Sequence, residues 1–145
     1  MSLLIGLKNT ATQTVATNNL VSLGSTYRRY SKRYCNANTF VNTSTTVTLQ
    51  QSGMYHVIVT LVGSGDAAGD ITVSLLEDNT TVSTSTQTVT TPTTEIRTLV
   101  LEYFTLVDNT TLLNSVAVTP KVLSLLNTGV DATFTSVIVD IVKVV

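Results

Sequence analysis

The stretch that most constrains the fold is residues 48–79, TLQQSGMYHVIVTLVGSGDAAGDITVSLLEDN. Between residues 54 and 62, Tyr55, Val57, Val59 and Leu61 share one parity, and Met54, His56, Ile58, Thr60 and Val62 share the other. Successive side chains of a strand point to opposite faces. A strand that is apolar at both parities is therefore covered on both sides. Such a strand lies inside a sandwich and against a neighbouring subunit, or under a loop. Small residues at 63–69 predict a turn, and 71–77 reads as a second strand with Ile71, Val73 and Leu75 inward and Thr72 and Ser74 outward. The two strands are expected to form a hairpin, followed by a polar turn at Asp78-Asn79.

The rest of the chain extends this pattern. Charged residues make up 12% of the sequence and aromatics 6%, with no Trp, against roughly 25% charge in ordinary soluble domains. Thr and Val fill the difference. Both are stiff at χ1 and suit a pleated surface. An all-β fold follows, an antiparallel sandwich of eight to ten strands with turn signals between them. At 145 residues one domain is expected, with residues 1–24 as an N-terminal arm or edge strands and 25–145 as the sandwich. Residues 80–91 read as a thin edge strand around Val82 and Val89, broken by Pro92. Residues 95–107 alternate Leu99, Leu101 and Tyr103 against Val100, Glu102 and Phe104. A strand is expected at 115–119 and one helical turn after Pro120. The apolar run 132–145, which includes Val137 and Val139, reads as a central strand.

A net charge of −1 and a pI near 5.6 give no electrostatic case for nucleic acid or an anionic membrane. No apolar run approaches the roughly 20 residues that span a bilayer, and the opening MSLLIGLKN is too short for a signal peptide. One cysteine, Cys35, leaves no intrachain disulfide, which fits folding in a reducing cytoplasm. Charge is concentrated locally instead. Residues 25–38 hold Arg28, Arg29, Lys32 and Arg33 beside Tyr27, Tyr30 and Tyr34. Such a segment is a strand with inward rings and solvated cations, a docking surface for an acidic protein, or, least favoured, a single-stranded nucleic-acid binder.

No catalytic constellation emerges. His56 and Cys35 do not complete a four-ligand zinc site within one chain. Asp66, Asp70 and Asp78 lack EF-hand spacing. Gly63-Ser64-Gly65 is not a nucleophile elbow, and Glu95 and Glu102 read as solvated acids on one strand. The Asn42, Asn79 and Asn109 sequons are chance matches in an Asn/Thr-rich chain. The expectation is a protein that is not an enzyme, with no metal and no cofactor.

Gly53-Met54-Tyr55 followed by V-x-V-x-L, a small-residue turn, I-x-V-x-L and Asp78-Asn79 resembles the jelly roll of tumour necrosis factor-like proteins and complement-type globular heads. Arg28-Arg29-Tyr30, then Cys35-Asn36, the G-x-Y strand and the stretch from Ala67 to Val73 resemble more closely the small jelly-roll structural proteins of tailed bacteriophages. The resemblance implies a homotrimer about a three-fold axis. The residues expected at its interface are Tyr55, Val57, Val59, Leu61, Phe104, Val137 and Val139. Attachment to a partner is expected through Tyr27, Arg28, Arg29, Tyr30, Lys32 and Arg33. The implied role is a virion structural protein, a capsid decoration or head-fibre component assembled in the host cytoplasm. Its partners would be the major capsid protein or a fibre or tail protein. The alternative is a tail or fibre module that binds a host receptor or carbohydrate.

Overall fold

The computed structural model describes residues 3–31, 40–91, 95–112 and 115–144. In chain order the strands are β1 (Leu3–Asn9), β2 (Gln13–Val15), β3 (Ser25–Ser31), β4 (Phe40–Asn42), β5 (Thr46–Leu49), β6 (Gly53–Gly65), β7 (Gly69–Glu77), β8 (Thr80–Thr91), β9 (Arg97–Val107), β10 (Asn109–Leu112), β11 (Ser115–Val118), β12 (Lys121–Asn127) and β13 (Ala132–Lys143). Ten of them form two five-stranded layers. Sheet A runs β3-β1-β13-β6-β9, with β2 also paired to β13, and sheet B runs β4-β5-β12-β7-β8. Strands β10 and β11 pair apart from both. All named pairings are antiparallel.

The core lies between the layers. Sheet A contributes Ile5, Leu7, Tyr55, Val57, Val59, Leu61, Leu99, Leu101, Val137, Val139 and Ile141, and sheet B contributes Val47, Leu49, Ile71, Val73, Leu75, Leu123 and Leu125. Full burial of one such aliphatic side chain stabilises by about 1.5–3 kcal/mol. At one end the layers are clipped by polar groups: the Thr105 hydroxyl donates to Glu77 Oε1 at 2.7 Å across the sandwich. Lys121 stands 3.9 Å from Glu77 and 3.6 Å from Asp78.

Several expectations change. Strands β6 and β7 are not a hairpin, because they lie in opposite sheets. Each presents an apolar parity to the core from its own side, and alternation alone cannot tell this arrangement from two paired strands. Gly63 is not in a turn. It continues β6 where the β13 register shifts between Phe134 and Ser136. A Cβ there would sit 2.4 Å from the Thr133 carbonyl oxygen, so glycine allows the two backbones to approach. The tight hairpin is β7–β8, whose turn residues Asp78 and Asn79 have φ of 50° and 66°. Positive φ at both central positions is the turn geometry that matches strand twist.

Within the N-terminal segment β1 is neither an arm nor an edge strand: it is an interior strand between β3 and β13, and Ile5, Leu7, Val15, Val21 and Leu23 are buried. After Pro120 comes β12, an interior strand of sheet B and not a helical turn. Strand β8 is an edge and β13 is interior, as their apolar content implies. Pro92 lies outside the described residues.

Candidate assembly surface

The outer faces of the two sheets differ in chemistry. Along β7 and β8 the outer face of sheet B is a ladder of hydroxyls. Ser74 meets Thr86 at 2.9 Å, Thr72 meets Thr88 at 3.0 Å, and Thr90 donates to Asp70 at 2.5 Å. The Thr-rich composition is used here in cross-strand pairs, with Thr72–Thr88 and Thr90–Asp70 exposed and Ser74 buried. The outer face of sheet A is apolar over β6 and β9. Val100, Phe104 and Leu106 leave 50, 52 and 48% of their surface exposed, and Met54 and Ile58 leave 38 and 37%. On sheet B, Val41 of β4 is an exposed large apolar residue.

The register fixes the layout of the sheet A face. One row crosses Tyr30, Leu4, Val142, His56 and Phe104, and the next crosses Arg28, Gly6, Asp140, Ile58 and Glu102. Within the first row the His56 and Phe104 rings stack, with centroids 4.6 Å apart and planes 20° from parallel. His56 Nε2 lies 2.6 Å from Glu102 Oε1 on the neighbouring row. The one histidine of the chain is thus held by a carboxylate and an aromatic ring in the middle of an apolar surface.

At the far edge β3 carries the basic and aromatic segment. The Tyr27 ring lies across β1 at Gly6, where a Cβ would come within 2.8 Å of it. Its hydroxyl donates to Asp140 Oδ1 at 2.9 Å. That hydrogen bond, then partial desolvation and the Asp140 charge, raise the Tyr27 pKa, against a smaller lowering from Arg28. Lys8 Nζ and the Arg28 guanidinium stand 5.5 and 5.7 Å from the centre of this ring, and Arg29 lies 4.9 Å from that of Phe40. Tyr27 and Tyr30 point to solvent, so the inward-ring reading of this segment does not hold. Lys32, Arg33, Tyr34 and Cys35 lie outside the described residues.

Of the residues expected at a subunit interface, Phe104 is on the exposed face. Tyr55, Val57, Val59, Leu61, Val137 and Val139 are not, because all six are buried within the single chain. The physical reason is that the more uniformly apolar parity of β6 faces the other sheet. The parity interrupted by His56 and Thr60 faces out. The exposed positions that the interface expectation passed over are Met54, Ile58, Val100, Glu102 and Leu106. The four apolar ones among them had a signal in the sequence, on the parity that also carries polar residues such as Glu102.

Other chemistry is structural. Burial pushes the Tyr55 phenol up to about 12, and its hydroxyl donates to the Gln51 carbonyl at 2.7 Å. Desolvation raises Tyr103, with smaller contributions from the charge and hydrogen bond of Glu77. No group of three or more His, Cys, Asp or Glu side chains converges on a metal position among the described residues. Glu95 pairs with Arg97 at 2.6 Å.

Two five-stranded antiparallel layers in this order define the jelly roll of the tumour necrosis factor and complement C1q type. The fold is similar to the globular domain of the zebrafish complement 1qA protein, at 8% identity over 99% of this chain and 98% of that one, with a TM-score of 0.66. It is also similar to the Eiger TNF of S. frugiperda, at 15% identity over 100 and 94% of the two chains, with a TM-score of 0.61. A third similar structure is the vertex protein P5 of the phage PRD1, at 16% identity over 99 and 98% and a TM-score of 0.50. No protein-family model and no curated protein matches the sequence.

Proposed function

We propose that this chain is a non-enzymatic structural protein of a bacteriophage virion that assembles as a homotrimer through the outer face of sheet A. The observation that carries the reading is the asymmetry of the sandwich. One outer face is lined by hydroxyls, and the other exposes Met54, Ile58, Val100, Phe104 and Leu106 together. A contiguous apolar face of this kind marks an association surface.

The occupant proposed is a second copy of the same chain, on charge complementarity. The row Arg28–Gly6–Asp140–Ile58–Glu102 sets a cation at the β3 edge and a carboxylate at the β9 edge. They are separated by four strand spacings, roughly 19 Å. A face with opposite charges at its two edges complements a copy of itself, and a head-to-tail contact closes into a ring when the rotation allows. The jelly-roll resemblance favours three subunits. The phage assignment draws on the resemblance of the 25–107 region to phage jelly-roll proteins and on the fold shared with the PRD1 vertex protein. Capsid decoration or a head fibre is the favoured place. Tyr27, Arg28, Arg29 and Tyr30 at the rim are the proposed contact with the major capsid protein or a fibre or tail protein.

Mass spectrometry of separated heads and tails from purified particles tests the assignment. Recovery of the chain in the head fraction at a fixed ratio to the major capsid protein supports it. Absence from both fractions, with the chain found only among soluble proteins of the infected cell, overturns it.

A further inference from the structure

The two edges of sheet A carry matching chemistry, row by row. Strands β3 and β9 are those edges, and they run in the same direction because every pairing between them is antiparallel. One row ends in Tyr30 on β3 and Phe104 on β9, and the next ends in Arg28 and Glu102. Tyr30 and Phe104 leave 56 and 52% of their surface exposed. Arg28 is exposed too, and the Glu102 side chain is 63% exposed. A rotation about an axis along the strands keeps each row at its own height and brings the β3 edge of one copy to the β9 edge of the next. Ring then meets ring on one row, and guanidinium meets carboxylate on the row beside it. A slip of one row along the strands breaks the charge match, setting Arg28 opposite Val100 or Phe104.

We propose that Arg28 of one copy pairs with Glu102 of the next, beside a contact of Tyr30 with Phe104, and that this pair sets the direction and register of a head-to-tail ring. The pairing rests on the assembly reading above and specifies how the copies meet. Among the described residues Arg28 makes no ion pair within its own chain, and its guanidinium stands 5.7 Å from the Tyr27 ring centre. Glu102 is already partnered within its chain, by His56 at 2.6 Å and by a further contact. A carboxylate offers about four lone-pair sites, so these contacts and a guanidinium are compatible, and the planar fork of Arg suits a carboxylate. Charge pairs at the rim of an interface act chiefly on orientation and choice of partner, and like charges in the same place oppose association. Arg28 and Tyr30 thereby belong to the contact between copies, and Tyr27 and Arg29 remain at the rim for a virion partner.

Sedimentation equilibrium of the wild type, of Arg28→Glu, of Glu102→Arg and of the double variant tests this, with circular dichroism as the check that each is folded. Each single change sets like charges opposite one another at every contact, so the concentration for half-assembly should rise about tenfold or more. The double variant restores opposite charges in reversed order and should return to within about threefold of the wild type. An equimolar mixture of the two single variants relieves all but one contact of a three-membered ring. It should assemble more tightly than either variant alone and more weakly than the double variant. Single variants that assemble as the wild type does, or a double variant no tighter than the single ones, overturn the pairing and leave the assembly reading standing. A wild type that is monomeric at every concentration overturns the assembly reading, and the pairing with it.

Discussion

Replacement of Asn127 by alanine is expected to cost about 3 kcal/mol of folding stability. Asn127 ends β12 with no exposed surface. Its Nδ2 donates to the Val15 carbonyl at 2.9 Å and to the Val130 carbonyl at 3.0 Å, and its Oδ1 accepts from the Gly129 amide at 3.1 Å. One side chain thus joins β2, β12 and the turn before β13. Each neutral hydrogen bond contributes about 1 kcal/mol net, and a buried group stranded without a partner costs about 1–3 kcal/mol. The Val15 carbonyl is the deepest of the three, while the other two can recover part of their loss to water. Domains of this size are stable by only about 5–15 kcal/mol, so the loss is large. Urea unfolding followed by far-ultraviolet circular dichroism, at one fixed protein concentration, reads it as a lower midpoint with an unchanged slope. The Asn127→Asp variant, which removes both donated bonds, should lose a comparable amount. A loss below about 1 kcal/mol in the alanine variant would refute the reasoning.

Gly63→Ala should destabilise by about 2 kcal/mol or more, since the new Cβ would meet the Thr133 carbonyl oxygen at 2.4 Å and the Phe134 ring at 2.7 Å; a melting temperature equal to wild type would contradict the close-approach role. Alkaline titration should weaken the fold. The Tyr55 phenol stands at about 12 in the folded chain against the ordinary value near 10, so its contribution is complete below about pH 10 and is lost as pH rises toward 12. The expected loss is roughly 2–3 kcal/mol over that window, and it should shrink in Tyr55→Phe relative to that variant's own stability at pH 8. Tyr27→Phe removes the exposed hydrogen bond to Asp140 and should cost no more than about 1 kcal/mol, with the ring still seated over Gly6; nuclear magnetic resonance contacts between the ring and Gly6 would check its position.

The sandwich class was legible because alternation and Thr/Val content act locally. The edge status of β8 and the interior place of β13 follow from the same signal. Pairing was not legible. Strands β6 and β7 are neighbours in sequence and lie in opposite sheets, and the choice between hairpin and crossover depends on contacts distant in the chain. Residues 1–24 read as an arm or edge strands because their apolar residues come in short groups. Pairing with β13, from the other end of the chain, makes β1 an interior strand. The candidate surface was half legible. A two-faced apolar strand announced two coverings, but the richer parity, Tyr55 to Leu61, was consumed by the core. A sandwich must first satisfy its own interior, so the poorer parity, with His56 inside it, is what remains for a partner. The Tyr27 seat on Gly6 had no signal in the sequence, because it depends on the β1–β3 register.

The central claim is that the outer face of sheet A holds copies of this chain together. Sedimentation equilibrium of the wild type and of Phe104→Asp tests it most directly, because Phe104 is exposed and its replacement leaves the core intact. The account predicts a wild-type mass three times the 15.5 kDa of the chain and a folded Phe104→Asp variant at the mass of one chain, with the circular dichroism spectrum unchanged. A wild type that sediments as a single chain at micromolar concentration and neutral pH, or a Phe104→Asp variant that keeps the trimer mass, would contradict it.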